Sequence, residues 1–216
     1  MDYYKINDVD FTKLAFSKTK KSSGLRFIKA FINKKNLGLK LPTFRIPFNS
    51  KVNNFGNLEL NLSIDKEEVI KKFKELDELM MEYAKTNAWF EDSQESELEF
   101  SPSLRENGDF QPLFKIKIPV KDEEVQTIFY DNKNTIINVD TQEQAIEYLT
   151  KNTKVQTGID CVGVWINGNK FGLSWKAHQI KIISSPQPED EEGVFESDSE
   201  ASSEDGDVKL LIDHDE

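Results

Sequence analysis

Hydrophobic and polar positions alternate along most of this chain, and the period changes to that of a helix in two places. Leu58, Leu60, Leu62 and Ile64 alternate strictly with Glu59, Asn61 and Ser63, which predicts a strand with one buried face over 56–64. Asp65 and Glu68 then form a capping box, and Val69, Phe73, Leu76, Met80 and Tyr83 recur at helical spacing. That spacing predicts one long amphipathic helix reaching about Asn87. Phe114, Ile116 and Ile118 alternate with Lys115 and Lys117 in a strand over 113–120, preceded by a turn at Asn107-Gly108-Asp109. A hairpin over 125–139 turns at Asp131–Asn134, and a short helix over 141–149 opens on a Thr141/Gln144 capping box. Leu39–Phe48 contains Pro42 and Pro47 and suits an edge strand. Residues 9–36 interleave Phe11, Phe16, Phe27 and Phe31 with lysines, and they read as strand, loop, then a strand or short helix.

The last stretch with a folding pattern, Val155–Ile183, reads as a hairpin turning at Asn167-Gly168-Asn169. Strict alternation puts Phe171, Leu173, Trp175, Ala177, Gln179 and Lys181 on one face of its second strand. Gly172, Ser174, Lys176, His178, Ile180 and Ile182 fall on the other, so neither face is clean. Trp165, Phe171 and Trp175 fit two readings: core residues beside solvated lysines, or a stacking surface for nucleic-acid bases. Trp89, directly after the long helix, is a further candidate aromatic. The candidate backbone-tracking cations are Lys170 and Lys176 on the hairpin and Lys115 and Lys117 on the preceding strand. Lys18, Lys20 and Lys21 join them from the basic N-terminal quarter.

Charge placement sharpens this picture. The chain has 216 residues and a formal net charge of −11, yet residues 189–216 hold 13 Asp and Glu against one Lys. Residues 1–51 hold 12 Lys and Arg against 3 Asp, so a basic head and a nearly neutral body precede an acidic end. The two parts divide into a folded domain over 1–185 and a disordered tail over 186–216, too poor in apolar residues to bury a core. The tail's Ser-Asp/Glu run would accept phosphates, and Leu210, Leu211 and Ile212 form its apolar anchor for a partner.

Composition also narrows the chemistry. A single cysteine, Cys161, and two histidines, His178 and His214, support neither a disulfide nor a Cys- or His-based metal site. No phosphate-binding loop, dinucleotide fingerprint, zincin helix or nucleophile elbow is present, so no cofactor and no enzymatic activity are expected. With no run of 18 apolar residues and no leader-like start, the expectation is a soluble intracellular protein without a membrane partner.

Taken together, the elements describe a mainly β fold with α insertions: an OB-fold-like antiparallel β-barrel with one long inserted helix and an acidic C-terminal tail. The closing segment Gly158–Ile180, with Gly172-Leu-Ser-Trp-Lys-Ala-His-Gln179 at its centre, resembles the end of the barrel in the podophage-type replicative single-stranded DNA-binding proteins. That family has relatives in large DNA viruses of eukaryotes. Residues 100–105 and 112–119 resemble its internal strand pair, and the acidic tail its general plan. The resemblance implies a protein that coats single strands in DNA replication, recombination or repair, at the host-cell site of viral DNA replication. It also implies a tail that competes with DNA and recruits a DNA polymerase or helicase. The tail here ends Ile212-Asp-His-Asp-Glu216 and not in an aromatic residue, a departure from the family plan. Single-stranded DNA is the expected partner, with a second copy in a homodimer. The alternative is a histone-chaperone-like interaction module whose acidic tail captures basic proteins.

Overall fold

The computed structural model describes residues 3–22, 25–54, 56–86, 89–90 and 98–186. Five strands close into a barrel: Phe44–Arg45, Leu58–Ser63, Phe110–Ile118, Lys154–Asn167 and Lys170–Ser184. The first joins the second at Arg45 and Ser63, and the second pairs with the third from Leu58 opposite Ile118 to Ser63 opposite Leu113. The third touches the fifth at Lys117 and Lys176, the fifth runs beside the fourth along its whole length, and the fourth returns to the first at Val155 and Phe44. The resulting order, 1-2-3-5-4-1, is the five-stranded barrel of the OB-fold. One join departs from the all-antiparallel barrel expected from sequence: the third and fifth strands are parallel. A parallel join needs a long crossover, which residues 119–169 supply.

The alternating pattern explains the interior. Leu58, Leu60 and Leu62 face Phe114, Ile116 and Ile118 across the second and third strands, and all six are buried. Each such side chain contributes about 1.5–3 kcal/mol by leaving water. Helix α1, Glu67–Thr86, is inserted between the second and third barrel strands and buries Val69, Phe73, Leu76, Met80 and Ala84. Its Phe73 ring lies 4.5 Å from Phe114 and 6.3 Å from Trp175. Helix α2, Gln142–Tyr148, sits in the crossover, and its Thr141/Gln144 capping box forms as its sequence predicts. No helix among the described residues is long and apolar enough to cross a membrane.

The N-terminal quarter resolves into short strands. Leu14–Phe16 pairs with Ala30–Ile32, Lys20–Ser22 pairs with Leu25–Ile28, and the latter joins the barrel hairpin with Phe27 opposite Trp165. Phe11 is fully buried, Lys72 of α1 donates to the Val9 carbonyl, and Tyr83 donates to the Thr12 carbonyl. These N-terminal strands thus lie outside the five-stranded barrel: one pair joins the edge of its long hairpin, and Leu14–Phe16 with Ala30–Ile32 belongs to a separate small sheet.

The long hairpin contains the irregularities that decide its faces. Gly158 pairs with Gln179 and Ile159 with Ala177, so His178 is an extra residue on the return arm. Cys161 pairs with Trp175 and Gly163 with Ser174, so Val162 is extra on the outgoing arm. Each bulge advances one strand by one residue and reverses which parity points inward. The buried residues of the return arm are therefore Phe171, Trp175, Ala177, Ile180 and Ile182. This overturns the strict alternation: Gln179 and Lys181 share the outer face with Lys176, and Ile180 and Ile182 turn inward.

Candidate nucleic-acid interface

Of the four aromatic residues singled out by sequence, three have no free ring face. Phe171 is fully buried between Phe90 at 5.2 Å and Phe100 at 5.1 Å. Trp175 is 3% exposed and packs on Phe73 and Phe114, while Trp89 packs edge-on against Phe16 at 4.9 Å. The reading of Trp89, Phe171 and Trp175 as base-stacking residues is corrected to core. Alternation along one strand separates its two faces, but α1 and the added strand Glu99–Ser101 decide which is covered.

Trp165 is different. It is half-buried, directly opposite the half-buried Phe27, and its indole lies over Gly172, where an added Cβ would stand 3.0 Å from the ring. Phe27 covers Gly163 in the same way at 2.9 Å. Two bare glycines let the two rings lie down against the outer face of the hairpin. Lys20 is in register with Phe27 on the neighbouring strand, so one row across the sheet reads Lys20, Phe27, Trp165, Gly172.

A second row crosses the barrel wall. Lys51 stands opposite Glu59, Glu59 opposite Lys117, Lys117 opposite Lys176, and Lys176 opposite Asp160. Directly opposed residues project on one face, and strands lie about 4.8 Å apart, so three lysines share a line roughly 14 Å long. Lys115 stands beside it, opposite Asn61. The two carboxylates of the row are engaged. Glu59 accepts from Asn53 at 2.9 Å and meets Lys115 at 3.5 Å. Asp160, 5% exposed, accepts from the Tyr3 hydroxyl at 3.0 Å and lies 3.9 Å from both Lys176 Nζ and His178 Nδ1. Burial first, and then the hydrogen bond to Asp160, push the Tyr3 hydroxyl above its usual range.

The row crosses the second and third barrel strands at Glu59 and Lys117 and continues onto the fifth at Lys176, with Lys51 on the short strand Lys51–Val52 beside the second. Strands 2 and 3 form the face that OB-folds use for oligonucleotides together with the loops joining strands 1–2 and 4–5. In the first of those loops Phe48 is 51% exposed; the second is the turn at Gly168 and Asn169. Beyond Lys115, an open groove of about 1160 Å³ runs between α1 and the strand pair Leu104–Asn107 and Phe110–Ile118. Phe110, 79% exposed, stands at its edge with Arg105 and Lys74, faced by Asp77 and Glu78. Asp77 accepts from the Ser103 backbone N–H at 3.0 Å and hydroxyl at 2.7 Å; desolvation pushes its carboxyl up to about 6 against those bonds.

The structure therefore gathers Lys115, Lys117 and Lys176 on one face and places Trp165 on the same hairpin. Lys170 is exposed and paired with Glu99 at 2.7 Å, so its charge is already matched. Lys18 is exposed in the loop after Phe16 and lies in neither row. Lys20 and Lys21 lie in the strand paired with Leu25–Ile28. Leu210, Leu211 and Ile212 lie outside the described residues. Sequence reasoning missed Lys51, Phe48 and Phe110 and named Phe27 only as one of four phenylalanines interleaved with lysines, because their placement depends on pairing between distant strands and on loops without periodicity. Cys161 is buried, and desolvation pushes its thiol up to about 12, which removes it as a nucleophile.

No protein-family profile matches the chain, and no curated protein matches it in sequence. Among solved structures it is similar to gp2.5, a single-stranded DNA-binding protein encoded by bacteriophage T7, at 13% identity and a TM-score of 0.49, covering 81% of this chain and all of that one. It is also similar to the single-stranded DNA-binding protein of bacteriophage Enc34, at 13% identity and a TM-score of 0.48, covering 85% of this chain and 98% of the other. The same phage protein in complex with single-stranded DNA aligns at 12% identity and a TM-score of 0.48, over 82% and 98% of the two chains.

Proposed function

We propose that this protein binds single-stranded DNA without sequence preference, coating strands exposed in replication, recombination or repair. The observation that carries the proposal is the register row Lys51, Lys117 and Lys176, which runs across the strand 2–3 face of an OB barrel and onto its fifth strand. Ammonium groups in a line neutralise successive phosphates, and rings with one free face stack on any base, so the pair supports affinity without sequence readout. The half-buried Trp165 and Phe27 supply the rings. A fully desolvated aromatic such as Phe171 supports the barrel and not the ligand.

Within the same reading, the acidic segment 189–216 competes with DNA for these lysines and recruits a polymerase or helicase, with Leu210, Leu211 and Ile212 as its anchor. The protein acts by binding and not by catalysis, as an intracellular homodimer of the large eukaryotic DNA virus branch. For the tail's competition with DNA the motivating fact is the charge layout, in which a strongly acidic segment shares a chain with a basic quarter; the viral branch rests on the resemblance of the closing segment Gly158–Ile180 alone.

The test is a titration of fluorescent oligo-dT against a duplex of equal length, with and without residues 189–216. The expected outcome is preference for the single strand, steep loss of affinity with salt, and tighter binding without the acidic segment at low salt. Unchanged affinity after truncation would remove the competition. Failure of both chains to bind oligo-dT, with capture of basic proteins instead, would replace this reading by the chaperone-like one.

A further inference from the structure

A smaller pocket lies on the same outer face of the hairpin, beyond the lysine row and away from the strand 2–3 face. It encloses about 300 Å³, the small end of the range for small-molecule sites, and is lined by Lys40, Tyr130, Asn134, Gln156, Gln179 and Lys181. Its residues are brought together by register: Lys40 stands opposite Gly158, Gly158 opposite Gln179, Gln156 opposite Lys181, and Lys181 opposite Tyr130. Gly158 forms the floor. A Cβ there would stand 2.8 Å from Gln179 Cγ, so the Gln179 side chain lies flat on a strand that has none of its own.

The pocket is organised for a ligand with a negative charge and a polar edge. Lys181 Nζ donates to Asn134 Oδ1 at 2.6 Å, which fixes the ammonium at the pocket wall. Asn134 is held in turn, at a positive φ of 67°, in a turn whose Asp131 carboxylate accepts from the N–H groups of Lys133 and Thr135. No carboxylate is among the described lining residues, although Asp160 stands one row away. The pocket thus presents two ammonium groups, three carboxamides that both donate and accept, and one phenol ring. Carboxamides with both polarities accept any base edge, the ammonium groups accept a phosphate, and the volume admits one nucleotide and not an oligomer.

We infer that this pocket holds one nucleotide of the same strand that lies on the lysine row, and so extends the DNA path across the hairpin. The inference rests on the single-strand reading above. Lys181 is five residues beyond Lys176 on the return arm, a distance of roughly 16 Å at about 3.3 Å per residue, and both project outward. A strand leaving the row along the hairpin therefore passes over the pocket without leaving this face.

The experiment compares oligo-dT of about 6 and about 16 nucleotides, spanning the site sizes of OB-folds, by fluorescence anisotropy on the full chain. In the double variant Lys40→Gln, Lys181→Gln, affinity for the long oligonucleotide is expected to fall about tenfold or more, and the salt slope by about 0.7 per phosphate released. Affinity for the short one is expected to stay unchanged. Gly158→Ala, which keeps both charges and lifts Gln179 from the floor, is expected to reproduce the selective loss with little change in melting temperature. Equal losses on both lengths, or none on either, would overturn the inference. Saturable binding of dTMP alone that leaves oligo-dT affinity untouched would also overturn it, because the pocket would then be separate from the strand's path. If the unaltered protein binds neither length, the failure is of the single-strand reading itself.

Discussion

Replacing Lys51, Lys117 and Lys176 together by Gln tests the lysine row as a phosphate track. The three stand in one register row, so they are expected to contact successive phosphates of a single strand. For single strands each neutralised phosphate contributes about 0.7 to the slope of log K against log salt, so the triple variant should lose about 2 from that slope. Between 50 and 200 mM salt this means the unaltered protein weakens roughly 20-fold more than the variant. The assay is anisotropy of labelled oligo-dT at four or more salt concentrations, with thermal melting as the folding control. Lys170→Gln is the internal comparison. Its ammonium is paired with Glu99 at 2.7 Å, both groups exposed, so it is expected to shift the slope less than any row lysine. A triple variant with unchanged slope, or a Lys170 variant with the larger effect, would refute the assignment of the strand to this row.

Other outcomes follow from the same geometry. Trp175→Ala is expected to destabilise the fold by about 3–5 kcal/mol in urea titration without a specific loss of binding by the folded fraction. Trp175→Phe should cost far less, since the indole N–H it removes is buried without a partner. Gly163→Ala should destabilise by about 1–3 kcal/mol or more in thermal melts, because φ there is 145° and the new Cβ would stand 2.3 Å from the Ile28 carbonyl. Asp77 has its carboxyl raised from 3.8 to about 6, so the folded state holds the proton more tightly than the unfolded one. Its contribution is full below about pH 4 and is lost as pH rises towards about 6. Asp77→Asn should flatten that part of the urea-midpoint profile, and an identical fall in both proteins would contradict the assignment. The buried Cys161 thiol should react with a thiol reagent only at the rate of unfolding; fast reaction of the native chain would contradict its burial.

What was legible in the sequence was what neighbouring residues decide. Leu58, Leu60 and Leu62 declare a strand by themselves, and Thr141 with Gln144 declares a helix start, because the groups that satisfy each pattern lie within a few residues. Lys117 and Lys176 were legible as candidates but not as neighbours, since the join between them crosses residues 119–169. Lys51 was not legible at all: it precedes its strand partner Glu59 by a loop, and only the pairing reveals it. Trp89, Phe171 and Trp175 were misread for the complementary reason, since what covers a strand face is another element of the chain.

The bulge at His178 shows how fold and site are specified together. Continued without it, the alternation from Phe171 and Trp175 would drive Gln179 and Lys181 into the barrel and turn Ile180 and Ile182 towards water. A lysine ammonium buried without a partner costs several kcal/mol, and two exposed isoleucines forfeit about 1.5–3 kcal/mol each. One extra residue removes both penalties. It also aligns Lys176, Gln179 and Lys181 on the outer side that carries Trp165, so the stability of the closing hairpin and the continuity of the polar face come from the same backbone irregularity. Deleting His178 should therefore unfold the return arm before it removes any single contact, whereas His178→Ala keeps the extra residue and should leave the register intact.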